Sequence, residues 1–385
     1  MVTKFTKEQE MLQEALKEFS ETFVKPNASK WDEEDHCPVE LFPLLGELGI
    51  LGMSVPEEYG GVGLNHTERI MALEEISQYS AGLAMFIFTH QLGIISILEY
   101  GTEDQKNKYL PALCSGKKIC GLAVTEPSGG SDVMGQKTEA TNQNEVWSMN
   151  GRKCFISNFN ISDITIITAK TGISSKGKSE FTAFIVERGA KGFEYGRKEH
   201  KLGLKGSSTG DLILNHVKLP GSSVLGEVGQ GASIAMKEIS EVGRSSMSAI
   251  CVGLLKGCLD LSVKFSNEHI LYGHPISKLQ AIQFHVAENR VDYEAARLLL
   301  YHAVSKKDAG EPCSAEFSIA KYFGTEAATR AAKRTIELMG GYGIINDYPA
   351  GRLLRDAMTS ISSGGTSEIQ RIIIATDTYK KYHLK

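Results

Sequence analysis

No two of the seven cysteines in this 385-residue chain form a C-x-x-C pair. Cys37, Cys114, Cys120, Cys154, Cys251, Cys258 and Cys313 are odd in number and scattered, which argues against a disulfide framework or a zinc site and for a reducing cytoplasm. There is no block of one charge sign either. The 42 Lys and Arg against 46 Asp and Glu leave a net charge of −4, so neither nucleic acid nor an anionic membrane is an expected partner. No apolar run reaches about 18 residues, and no membrane span is expected. Met1 to Phe5, followed by Lys7, Glu8 and Glu10, lacks the apolar stretch of a signal peptide. No G-x-G-x-x-G follows a strand pattern, so a Rossmann unit is not expected. Against these absences stands a chain that is 42% apolar, enough for a large core and two or three domains.

From Thr6 to about Ser115 the pattern is helical. Leu12, Ala15, Phe19 and Phe23 stand three or four apart, the stripe of an amphipathic helix. Residues 55–61 break it as a loop, and a second helical stretch runs from Glu68 to Leu98. From Gly121 the period turns to strands. Residues 122–125, 164–168, 181–186 and 212–214 are apolar or β-branched runs between Gly, Ser and Asn turns. No helical segment separates them, which predicts an antiparallel barrel or sandwich rather than βαβ units. Residues 171–180 read as a solvated hairpin or loop. After Pro220 and the Gly-rich 226–231 turn, helices return. Ala287, Val291, Ala295 and Leu299 form one apolar row, and Ala315, Ile319 and Tyr322 mark another. The expected fold is α+β in helix–β–helix order: a helical domain over 1–120, an antiparallel β-barrel domain over 121–225, and a helical bundle over 226–385.

Residues 123–132 read Ala-Val-Thr-Glu-Pro-Ser-Gly-Gly-Ser-Asp, a strand end running into a Gly-rich turn. Gly129 and Gly130 let the backbone approach a ligand and turn successive N–H groups outward, a nest suited to pyrophosphate. Thr125 and Ser131 add hydroxyl donors. A tight turn with a polar tip accounts for most Gly-Gly-Ser strings, but not for all ten ordered positions. The full string resembles the first signature of the acyl-CoA dehydrogenases. Phe155-Ile156-Ser157, after Asn150-Gly151-Arg152-Lys153, resembles the segment where an aromatic ring covers that family's flavin and a hydroxyl meets its reactive nitrogen edge. The 201–209 string resembles one that shapes the family's β domain. Residues 272–284 resemble its helix–turn–helix at the subunit contact. Gly340-Gly341-Tyr342-Gly343, Tyr348-Pro349 and residues 352–356 resemble the family's next stretch towards the C-terminus. The resemblance covers the chain from Val55 to Gln370.

That resemblance implies FAD as cofactor. It implies FAD contacts at Leu122, Val124, Thr125, Gly130, Ser131, Phe155, Ile156, Ser157, Gln280, Glu337, Gly340, Gly341, Thr366 and Glu368. In relatives part of this set reaches the FAD of a neighbouring subunit, so a homodimer or homotetramer is expected. His269 stands where relatives have an Arg near the pyrophosphate. A mostly neutral imidazole lacks the guanidinium fork, so weaker or pH-dependent FAD binding is expected.

Residues 362–370, Ser-Ser-Gly-Gly-Thr-Ser-Glu-Ile-Gln, resemble the family's C-terminal signature with one departure: Gly364 stands where the catalytic Glu belongs. The second location used by relatives immediately precedes an Arg that resembles Arg244, and here it is Gly243. In the family this carboxylate takes the α-proton of an acyl thioester while the flavin takes the β-hydride, which requires a base within about 3 Å. Three explanations stay open. Glu241 could substitute, because residues 231–244 read one residue longer than in relatives, although two positions from Gly243 it belongs on another helix face. The substrate could need no carboxylate, as when hydride leaves a carbon bearing a heteroatom. The flavin could instead use O2. The implied function is FAD-dependent oxidation of an acyl thioester, on CoA or an acyl carrier protein, with an electron-transfer flavoprotein as acceptor. Ser131, Glu241, Arg244 and Gly365 are the implied substrate contacts. A flavin-dependent oxygenase on the same fold and a catalytically silent homologue are the alternatives.

Overall fold

Thr6 opens the first helix with a capping box: its hydroxyl accepts from the Gln9 amide, and the Gln9 side chain accepts from the Thr6 amide. The computed structural model describes residues 5–382, so the first four residues of the stretch expected not to be a signal peptide lie outside it. Six helices come first: α1 (Lys7–Phe19), α2 (Ala28–Glu33), α3 (Phe42–Glu47), α4 (His66–Ser77), α5 (Ala81–Tyr100) and α6 (Glu103–Cys114). Eight strands come next: β1 (Cys120–Ala123), β2 (Glu139–Gln143), β3 (Val146–Ser157), β4 (Ile164–Ile173), β5 (Ser179–Glu187), β6 (Phe193–Lys198), β7 (Thr209–Pro220) and β8 (Val224–Leu225). Then come α7 (Gly231–Glu238), α8 (Arg244–Glu268), the short pair β9 (Ile270–Leu271) and β10 (His274–Pro275), α9 (Gln280–Asp308), α10 (Ser314–Met339), α11 (Ala350–Ser360) and α12 (Ser367–Tyr382).

The eight strands form one sheet in the order β6-β7-β3-β2-β4-β5-β8, with β1 beside β4. The expected antiparallel barrel is corrected on two counts. The terminal strands β6 and β8 do not pair, so the sheet stays open. It is also mixed, since β1 and β2 both run parallel to β4. The β2–β3 hairpin lies between β1 and β4 in the chain and supplies the crossover that a parallel pair needs.

One apolar cluster joins the two helical parts. Ile70, Leu73 and Phe86 pack with Met247, Ile250, Leu254, Leu300, Phe317 and Ala328. A second cluster sets Ile94, Ile97 and Leu110 against Ile164 and Ile185 of the sheet. α5 belongs to both, which explains why it is apolar on every side. This also corrects the expectation of no membrane-length helix: Ala81–Tyr100 and the helical run Gly231–Glu268 are long and apolar enough, and both are mostly buried inside the protein.

Helix phase departs from the expected stripes where the chain departs from α-geometry. In α1 the buried residues are Leu16 and Phe19, followed by Val24, while Ala15 and Phe23 are exposed. A π turn over Ser20–Val24 adds a residue and moves the inward position from Phe23 to Val24. In α9 the row Ala287, Val291, Ala295 and Leu299 points outward or lies half-buried; Asn289, Asp292, Ala296 and Leu300 face the core. Polar residues can occupy that face because Arg334 donates to Asn289 at 3.2 Å and to Asp292 at 2.8 Å. In α10 Ala315 is buried, Ile319 is exposed, and the inward row is Phe317, Ala320, Gly324 and Ala328. The 201–209 string docks the sheet on α11, where the Leu204 amide donates to Asp356 at 2.6 Å.

Candidate active site

Beyond β1 the chain turns through residues 125–131, and the turn is pinned from beneath. Lys153, fully buried on β3, donates to the Glu126 carboxylate at 2.8 Å, the Gln136 side-chain oxygen at 2.7 Å and the Val124 carbonyl at 3.2 Å. Glu126 also accepts from the Lys137 and Thr138 amides at 2.6 and 3.0 Å. Burial works against the Glu126 charge, but the Lys153 ammonium and these amides outweigh it and hold its pKa below the usual value. The Cys154 amide donates to the Thr125 carbonyl at 3.0 Å, so the turn rides on β3. Gly129 and Gly130 are exposed, and a Cβ on Gly129 would meet nothing within 4 Å.

Just past Cys154 the strand bulges. Lys153 pairs with Leu212 but Ile156 with Gly210, so three steps on β3 oppose two on β7. Phe155 takes up the irregularity at φ +56, and it is 65% exposed. An aromatic residue in the left-handed region is uncommon, and such strain gathers at functional sites. Open backbone amides beside an outward aromatic ring fit a flat ring system that carries a pyrophosphate.

The second part of the site is where α7, α8, α10 and the 361–366 turn meet. Gly364 has φ +68 and Gly365 φ +93. Buried Lys321 holds this turn by donating to the Ile361 carbonyl at 2.6 Å and the Gly365 carbonyl at 2.7 Å. A Cβ on Gly364 would lie 3.7 Å from the Gly243 carbonyl oxygen. A side chain at Gly364 would thus start against the Gly243 backbone, and neither position carries one. Next in the chain, Arg244 is buried. Its Nη1 donates to Ser240 at 3.0 Å, Ser318 at 3.2 Å and Ser314 at 3.4 Å, while Nε is buried without a partner. Burial pushes its pKa down to about 10. Glu241 is committed elsewhere, with Oε2 2.6 Å from Lys307 of α9.

Three family models divide the chain: the acyl-CoA dehydrogenase N-terminal domain over residues 6–117, the middle domain over 121–217 and the C-terminal domain over 229–378. An acyl-CoA dehydrogenase from Bacillus subtilis (strain 168) is 39% identical over 371 residues, covering 96% of this chain and 97% of that one. The chain belongs to the acyl-CoA dehydrogenase family. Among solved structures, butyryl-CoA dehydrogenase from Megasphaera elsdenii superposes with a TM-score of 0.95 at 35% identity, over 98% of this chain and 100% of that one. A prolyl acyl carrier protein oxidase gives 0.92 at 30% identity, over 97% and 100%. As an acyl-CoA dehydrogenase family member the chain is an FAD-dependent oxidoreductase that acts on acyl thioesters.

The residues expected to contact FAD fall into separate groups within this chain. Leu122, Val124, Thr125, Gly130 and Ser131 meet Phe155, Ile156 and Ser157 at the β1–β3 junction. Thr366 and Glu368 lie at the start of α12, and Glu368 pairs with Arg371 at 2.6 Å. Gln280, Glu337, Gly340 and Gly341 are exposed at the far end of the C-terminal helices, where Ile276, Leu338 and Met339 pack together. His269 stacks on Phe265 there, with ring centres 5.0 Å apart, and meets Tyr342 edge-on at 5.4 Å. No hydrogen bond among the described residues joins this last group to the β1–β3 turn. Motif reading missed Lys153 and Lys321, which hold the two turns. Lys321 stands as a lone charge among Ala320, Tyr322 and Phe323, and Lys153 follows a second charge, Arg152, so neither position marks its burial in the sequence.

Proposed function

We propose that this family member oxidises an acyl thioester, carried by CoA or by an acyl carrier protein, without a carboxylate at either position relatives use. The observation that carries this is the pair Gly243 and Gly364, adjacent in the fold and both without a side chain. The residues present fit FAD: the 125–131 turn would hold the pyrophosphate on backbone amides, with Phe155 against the ring system. When bound, the flavin accepts the hydride from the β-carbon. Arg244, with free donor capacity and no bonded carboxylate among the described residues, orients a polar or anionic part of the acyl thioester beside the vacated space. The prolyl carrier-protein oxidase among the similar structures favours keeping the carrier protein as a substrate class. Transfer onward to an electron-transfer flavoprotein, a location in the reducing cytoplasm and assembly as a homodimer or homotetramer complete the proposal. The seven thiols are all free.

Anaerobic titration of the purified holoprotein against CoA- and carrier-linked acyl groups tests it. Rapid bleaching of the flavin by one class is the expected result. Reduced flavin that turns over with O2 while no thioester bleaches it would replace this reading with an oxygenase, and extraction of FMN would overturn the cofactor.

A further inference from the structure

Arg69 of α4 is only 1% exposed, and among the described residues every group it bonds is neutral. Nη1 donates to the Ser246 hydroxyl at 2.8 Å and the Gln91 side-chain oxygen at 3.2 Å, and Nη2 to the Ser245 hydroxyl at 3.1 Å. Nε donates to Nδ1 of His66 at 3.3 Å. His66 is buried as well. Burial first, then Arg69, hold its pKa well below the usual value, so the ring is neutral. Arg69 Nε has no other acceptor, so Nδ1 is the bare nitrogen of that ring and Nε2 carries the hydrogen. Nε2 then donates to the Ser245 hydroxyl at 2.9 Å. Glu238 and Asp308 act on Arg69 through space without bonding it. A guanidinium buried in this way is compensated by its hydrogen bonds, and two of them go to serines at the start of α8.

Those serines lead to the candidate site. The Ser245 hydroxyl donates to the Glu241 carbonyl at 2.6 Å, and the Ser246 hydroxyl to the Val242 carbonyl at 2.7 Å. Both carbonyls belong to a second π turn, Ile239–Gly243, in which the Arg244 amide reaches back to the Ile239 carbonyl. Such a turn interrupts the regular helical ladder. A hydroxyl that accepts from a cation becomes a stronger donor, so Arg69 tightens the turn through both serines. The same turn is tied by a second route. Lys307, at the end of α9, donates to Glu241 at 2.6 Å. Its neighbour Asp308 accepts from the His66 and Thr67 amides at 2.9 and 3.1 Å. The bonds therefore close a ring from α4 to α8, through the π turn to α9, and from α9 back to the start of α4. Gly243 ends the turn that this ring holds, and Arg244 follows it.

Resting on the function proposed above, we infer that Arg69 is a positioning residue of the reaction: through Ser245 and Ser246 it fixes the π turn that places Gly243 and Arg244. The flavin cradle is held separately, by Lys153 on Glu126. Loss of Arg69 should then disturb the acyl side of the site and leave the flavin in place.

The test uses the FAD-loaded protein and the thioester that bleaches it. Arg69→Met should raise the thioester concentration for half-maximal bleaching by roughly tenfold or more, the order expected when charge-assisted hydrogen bonds are lost. Flavin content and the rate of flavin reduction by dithionite should not change. Arg69→Lys, which keeps the charge and part of the donor set, should recover some of the loss. Hydrogen–deuterium exchange gives a readout free of turnover: residues 239–246 should exchange faster in Arg69→Met, and residues 125–131 should not. Should Arg69→Met fail to fold, Ser245→Ala with Ser246→Ala carries the same expectations while leaving every charge in place. Half-saturation at the wild-type concentration in the variants, exchange unchanged at 239–246, or exchange raised throughout the chain would each overturn the inference alone. A wild-type flavin that no thioester bleaches overturns the proposed function, and the inference with it.

Discussion

Gly243 and Gly364, the two positions proposed to lack the family's carboxylate, have different backbones, and this decides how one could be introduced. Gly364 is left-handed, where an L side chain costs roughly 1–2 kcal/mol. Gly243 is helical at φ −62, and a Cβ there would meet only atoms at 3.7 Å or beyond. Helix propensity would favour Glu over Gly at that position by up to about 1 kcal/mol. We expect Gly243→Glu to raise thioester-driven flavin bleaching above the wild-type rate. Gly364→Glu should raise it less and lower the melting temperature. Equal gains from both would contradict the backbone argument. Lys321 provides a second residue-scale test. Burial pushes its pKa down to about 8 from an ordinary 10.5. Between those values the unfolded chain holds a proton that the folded one has released, so this residue makes stability rise with pH there. Denaturant melts at about pH 8 and about pH 10, which bracket that window, should show a smaller rise, or a larger fall, in Lys321→Met than in the wild type.

At the scale of elements, the flavin cradle depends on one buried ion pair between a strand and a turn. Lys153 and Glu126 are almost completely buried, and the lysine also ties Val124 and Gln136 together. Removing one partner of a buried pair strands the other, at about 3–5 kcal/mol. Lys153→Met should therefore destabilise the protein by that order and release flavin. The double variant Lys153→Met/Glu126→Gln should regain part of the stability, because no charge is left unpaired. Chemical denaturation of the four proteins in the cycle measures this; a double variant no better than Lys153→Met would refute the role of the charge. Local geometry also decides how much of the fold and site is legible in the sequence. The 123–132 motif and Phe155 were legible because turn chemistry and an ordered motif are properties of neighbouring residues. The π turns at Ser20–Val24 and Ile239–Gly243 were not, because an inserted residue leaves no compositional mark. That is why the expected stripe carries Phe23 where Val24 is the buried residue. Sheet closure was equally hidden, since it depends on whether β6 and β8 meet.

At the scale of the whole molecule, α9 presents an outer surface that the single chain does not cover. Phe284, Val291 and Leu298 recur every seven residues and are 59%, 66% and 53% exposed. A stripe with that period is the seam along which two helices pack. Ala287 and Ala295 lie between them, either exposed or half-buried, so a second helix could approach closely. The same helix begins at exposed Gln280, and the exposed Gly340 and Gly341 lie at the same end of the bundle. These residues resemble those that relatives direct toward a neighbour's FAD. Subunit contact and flavin retention should then fail together. Val291→Glu with Leu298→Glu places two charges in the stripe and touches no buried core position of its own chain, so the fold itself should survive. We expect the wild type to sediment as a dimer or tetramer with bound FAD, and the double variant to sediment as a folded monomer that loses flavin on dilution. A wild-type monomer that keeps FAD, or a charged variant that dissociates and still retains it, would show that each chain completes its own cradle.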